Sequence, residues 1–123
     1  MNLTSAHVLA SLAVLLTLLS LNVSRLRLKF KVSYGDDGHR DLTVAIRAHG
    51  NALEQCLLFA VLALALDAQS SDTVPLAWLG PVFLFARVLH PVAMFQRWLR
   101  LRQLAHITSL LVHLTLAWLL MQR

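Results

Sequence analysis

The chain has little with which to build either a covalent framework or a water-facing surface. A single cysteine, Cys56, excludes an internal disulfide scaffold and any cysteine-based metal finger. Its ordinary role is that of a small buried apolar residue. Only 14% of the 123 residues are charged and 58% are hydrophobic, where a soluble domain carries roughly a quarter charged. Acidic groups are the scarcest: six Asp and Glu face eleven Lys and Arg, for a formal charge of +5. Nucleic-acid binding needs such cations along one polar face. Here they gather at the ends of apolar runs, as in membrane proteins, so no nucleic-acid partner is expected. No histidine pair has metal-ligand spacing beside a carboxylate, and no metal site is expected either.

What the chain does have is four apolar runs: Leu3 to about Val23, about Val44 to Leu66, Val74 to Phe95, and Leu104 to Met121. Each is near the ~20 residues that carry a helix across a bilayer. With their flanks they predict helices over about 3–31, 42–68, 74–97 and 101–121, in a single membrane domain covering residues 1–123. The first run follows no basic segment and shows no small-residue cleavage site, so it is expected to be a retained helix rather than a signal peptide. Arg25, Arg27, Lys29, Lys31 and Arg40 lie between the first two helices, and Arg97, Arg100 and Arg102 between the last two. The remaining connection, DAQSSDTVP, contains Asp67 and Asp72 and no Lys or Arg. The positive-inside rule then predicts both termini outside and the two basic loops in the cytoplasm. VSYGDDGHRD has the chemistry of tight turns, with Asp41 or Thr43 suited to cap the second helix.

The polar residues inside the runs are not scattered. At ~100° per residue, Arg47, Asn51 and Glu54 of RAHGNALEQ share one stripe of helix two, with Gly50 on its edge and His49 pointing away. Gly50 permits close approach by a ligand or another helix. Helix three groups Arg87, His90 and Met94, and Pro91 is expected to bend it. Helix four aligns Arg102, His106, Ser109 and His113. Polar side chains from three helices therefore collect at the basic end, while the opposite half is almost pure hydrocarbon, which argues against a continuous pore. Ion pairing or snorkelling accounts for any one of these residues. The whole set on one side points to a functional site, because ionisable groups in a membrane are expensive. His7, His39 and His113 lie apart from it and are expected to be structural.

KVSYGDDG, RAHGNALEQ at the head of helix two and FARVLHPVAM on helix three together resemble the bacterial branch of the MAPEG superfamily, the membrane-associated proteins in eicosanoid and glutathione metabolism. The resemblance covers most of the chain. It implies an all-α integral membrane fold, a four-transmembrane-helix bundle assembled as a homotrimer, in the bacterial inner membrane. It also implies glutathione as co-substrate, bound at the subunit interface on the cytoplasmic side, and a lipophilic small-molecule substrate entering from membrane lipid. Carried over by position, it assigns glutathione contacts to Arg25, Arg27, Arg47, Asn51, Glu54, Arg87 and His90. It makes Arg102, with Arg100 second, the activator of the thiol, and His106 a donor one turn beyond. The chain departs from eicosanoid-making members at Gly50, Gln55, Met94 and His106, and its one tyrosine, Tyr34, is in a loop.

Three readings follow. The first is a glutathione-dependent transferase or peroxidase. The second is a lipid-binding or scaffold protein of the same fold, favoured by the missing tyrosines. The third is a small transporter with Glu54 as a proton-coupling carboxylate, against which count the dry outer half and the closeness of Glu54 to the basic end.

Overall fold

A computed structural model describes residues 3–69, 72 and 74–122. They form four helices: α1 (Leu3–Phe30), α2 (Arg40–Gln69), α3 (Val74–Phe95) and α4 (Leu99–Met121). All four are long and apolar enough to cross a membrane. Each observed end lies within two residues of the expected one, the ordinary latitude of helix termini. The acidic connection between α2 and α3 falls partly outside the described residues.

α1 and α4 each pack on both α2 and α3, and among the described residues their backbones do not approach each other closely. α2 and α3 thus form the central diagonal of the bundle. α2 can come close because much of its buried stripe is made of small residues: Ala45, Ala48, Ala52 and Cys56 recur every three or four positions, and Ala63 follows beyond Phe59. Without a hydrophobic force between helices in lipid, such close backbone approach is what gives packing its energy. Phe59 of α2 and Phe83 of α3 stack with ring centroids 4.2 Å apart and fill the middle of the core, between Val8 and Leu12 of α1 and Val112 and Leu116 of α4. α1 packs tightly on α3 at Gly80, where an added Cβ would stand 3.1 Å from Val8 Cγ2. Large apolar side chains such as Leu57, Trp78 and Leu114 point outward, as befits a surface covered by lipid or by neighbouring protein. α3 runs as one helix through both Pro81 and Pro91.

Both helices that end at the basic side close in the same way. Val32 N–H donates to Arg27 O at 3.0 Å around Lys31, which has φ +57°. Trp98 N–H donates to Ala93 O at 2.9 Å and Arg97 N–H to Met94 O at 3.2 Å, with Arg97 at φ +60°. This is the Schellman closure, whose left-handed position is normally glycine. It stops α1 and α3 one and two residues earlier than the apolar pattern alone suggests. Arg27 reinforces the first closure by donating to the carbonyls of Val32 and Gly35, at 3.5 and 2.8 Å.

Neither Asp41 nor Thr43 caps α2. The helix starts earlier, at Arg40, after a turn organised by Asp36. One carboxylate oxygen of Asp36 accepts from Gly38 N–H at 3.1 Å and the other from the Thr43 hydroxyl. The Thr43 hydroxyl, followed by the Gly38 amide, holds the Asp36 carboxyl below its ordinary range. His39 stacks on Phe30, centroids 4.2 Å apart, and pins the turn to the end of α1.

Candidate functional site

At the basic end a cavity of about 300 Å³ opens between α2, α3 and α4. α2 contributes Arg47 and Asn51, one turn apart on the stripe beside its buried small residues. α3 contributes His90 and Met94. α4 contributes Arg102, Gln103 and His106. Both arginines are exposed at the mouth, whereas His90 is buried and His106 and Asn51 are half-buried. No carboxylate lines the cavity. The rings of His90 and His106 face each other across it with centroids 6.2 Å apart. The Nδ1 atoms of both lack a hydrogen-bond partner among the described residues.

Arg87 does not line this cavity. It is fully buried on α3, where one guanidinium nitrogen, Nη1, donates to Asn51 Oδ1 at 2.9 Å. Its guanidinium carbon lies 5.9 Å from the centre of the Phe83 ring. Nε and Nη2 have no acceptor among the described residues. A cation buried without a carboxylate is costly, so the single bond to Asn51 carries unusual weight. It ties the inner layer of α3 to the one neutral polar side chain that α2 presents to the cavity. Below this layer His113 Nε2 pairs with the Gln55 backbone carbonyl at 3.2 Å, and its ring leans on Phe83. His113 is thus a packed, bonded core residue.

Of the residues singled out from the sequence, Arg47, Asn51, His90, Arg102 and His106 come together around the cavity, with Arg87 beneath. Others lie elsewhere. Glu54 is exposed on the outer side of α2, among the exposed Leu53, Leu57 and Leu58. Arg100 is exposed at the start of α4. Arg25 faces a different cavity, between α1, α2 and α3. Arg27 is engaged in the turn. Gln103 was not anticipated, although it lies one turn before His106 and the stripe of α4 could have included it.

An arrangement of two exposed guanidiniums, a third beneath, and neutral amide and imidazole groups between suits an anionic ligand rich in amides. Guanidiniums grip carboxylates bidentately, and nearby cations favour a thiolate over a thiol. Among the described residues no group of three His, Cys, Asp or Glu side chains could hold a metal ion.

Comparison with known proteins agrees with the architecture. Over 91 residues, 74% of this chain and 70% of the relative, the sequence is 37% identical to the inner membrane protein YecN of Escherichia coli K12. It is equally similar to YecN of Escherichia coli O6:H1. No solved structure matches. Residues 5–122 match the MAPEG family. Four membrane-length helices, the polar layer they enclose at one end and this match along nearly the whole chain identify the protein as an integral membrane member of the MAPEG family.

Proposed function

We propose that the protein is an inner-membrane glutathione-dependent transferase or peroxidase, binding glutathione in the cationic cavity and activating its thiol toward a lipophilic electrophile. The observation that carries this reading is a cavity with arginines at its mouth and no carboxylate in its lining. Glutathione offers two carboxylates, an ammonium, two peptide groups and a thiol. Arg47 takes a carboxylate, and Asn51, oriented by Arg87, takes a peptide group. Arg102 stands beside the sulfur and stabilises the thiolate, with Arg100 next to it on the exposed turn. In conjugation the thiol proton leaves to solvent, the sulfur forms a bond to the electrophilic carbon, and the leaving group departs with the electron pair of its bond. His106 and Gln103 donate to the charge that develops there. His90, across the cavity from His106, lines the glutathione site from α3.

In this reading three protomers assemble with the basic loops on the cytoplasmic side. Glu54, outward on one protomer, then faces its neighbour and takes the ligand ammonium, whereas Arg25 of α1 faces the separate groove and takes no part in this ligand set. Arg27 is committed to the turn and contributes by holding the end of α1. Burial between protomers also removes Glu54 from lipid, where a carboxylate is expensive. A non-catalytic lipid-binding or scaffold role is the second reading. It is favoured by Tyr34, the one tyrosine, which is 92% exposed in the loop between α1 and α2 and does not line the cavity.

Calorimetry of glutathione with the detergent-purified protein tests the proposal. Saturable binding is expected, weakened on the order of ten- to a hundred-fold in Arg47→Ala, the loss of one charge-assisted hydrogen-bonded contact. Arg102→Ala is expected to bind glutathione while losing thiol ionisation and turnover. A well-folded protein that takes up no glutathione at millimolar concentration overturns the reading in favour of lipid binding.

A further inference from the structure

The cations outside the thiol site converge on a second place. On α1, Leu18, Asn22, Arg25 and Lys29 recur at i, i+4, i+7 and i+11, which puts them on one face. That face closes with the first turns of α2 and the end of α3 around a cavity of about 490 Å³. Four cations line it, Arg25, Lys29, Arg40 and Arg97, against one carboxylate, Asp41. Arg25 is held on the cavity side by donating to Asn22 Oδ1 at 2.9 Å. The cavity shares only Met94 with the thiol site.

Two features separate it from a generic basic surface. The first is vertical order. Lys29 is in the last turn of α1, Arg40 opens α2 and Arg97 lies two residues beyond α3, so these cations sit where the membrane spans end. Leu18, Leu19 and Phe95 supply hydrocarbon wall on the membrane side of them. The second is Arg97 itself, which holds φ +60° at a helix closure where glycine is unstrained. A guanidinium occupies a strained backbone position and lines the cavity from it.

We propose that this groove seats one anionic phospholipid per chain, its phosphodiester among Arg25, Lys29, Arg40 and Arg97 and an acyl chain along Leu18, Leu19 and Phe95. Charge complementarity selects the headgroup, and the hydrocarbon wall selects a lipid over a soluble anion. The lining of the seat differs from that of the thiol cavity except at Met94, and the two are tested separately.

Native mass spectrometry of the purified protein, in micelles doped with phosphatidylglycerol or phosphatidylcholine, reads the seat directly. One phosphatidylglycerol per chain is expected to be retained in preference to phosphatidylcholine. Each cation near a membrane surface favours an anionic lipid by about five-fold. Arg97→Gly should therefore weaken retention by about that factor, and Lys29→Gln with Arg97→Gly by the product. Arg97→Gly relaxes the backbone as it removes the charge, so its unfolding midpoint should hold or rise and misfolding does not confound the loss. Arg47→Ala should retain the lipid as the wild type does. Equal retention of the two lipids, or unchanged retention in Arg97→Gly, overturns the proposal. So does displacement of phosphatidylglycerol by inorganic phosphate, which marks a soluble-anion site, or by glutathione, which returns the groove to the thiol site.

Discussion

The Arg87–Asn51 contact makes the most decisive stability prediction. Arg87 is fully buried, its Nη1 bond to Asn51 is 2.9 Å long, and its remaining donors have no acceptor among the described residues. Hydrogen bonds between neutral groups of membrane helices average about 0.6 kcal/mol, whereas those to a charged group contribute about 1.5–3 kcal/mol. The charge decides between these figures, so Asn51→Ala should destabilise the protein by about 2 kcal/mol. Arg87→Met replaces a buried charge by an apolar chain of similar length, a change that is often neutral or stabilising. In the Arg87→Met background Asn51 has no cation to satisfy, and Asn51→Ala should then cost less than about 0.5 kcal/mol. The cycle thus has a coupling energy of about 1.5 kcal/mol. Unfolding in mixed micelles of increasing denaturing detergent, followed by tryptophan fluorescence, measures all four proteins. Additivity of the two substitutions within about 0.5 kcal/mol refutes the idea that this bond bears the buried charge. Glutathione affinity separates positioning from packing: Arg87→Met should weaken it although stability holds, because Asn51 is no longer oriented.

Two further outcomes concern the turn between α1 and α2. The Asp36 carboxyl is depressed, chiefly by the Thr43 hydroxyl, from an ordinary value of 3.8. Its contribution to stability is therefore complete above that pH and is lost as pH falls below it through the folded-state value. The unfolding midpoint should fall across that acid window in the wild type and fall less in Thr43→Val; identical acid profiles would remove Asp36 as the organiser of the turn. Lys31→Gly relaxes a left-handed residue at the end of α1 and should stabilise by about 1 kcal/mol in the same detergent titration, whereas destabilisation would show that the Lys31 side chain outweighs the strain.

The sequence determined the four helices, because lipid-length apolar runs admit almost no other structure: every backbone polar group must be satisfied within the segment. It determined the end at which polar chemistry collects, and RAHGNALEQ together with FARVLHPVAM carried the family. What it left open was which side chains meet. Periodicity places Arg47, Asn51 and Glu54 on one stripe, but a helix that is apolar nearly all round has no hydrophobic asymmetry to say which neighbour that stripe faces. Only the packing of α2 on α3 and α4 divided the stripe, turning Arg47 and Asn51 into the cavity and leaving Glu54 outside. The same packing sank Arg87 beneath the cavity and carried Arg25 to another groove. Local closure geometry, which depends on backbone dihedrals rather than residue type, engaged Arg27 and placed Lys31 and Arg97 in left-handed positions where the sequence offers no glycine. Residue identity fixed the charges and the membrane; the contacts between helices fixed what those charges can hold.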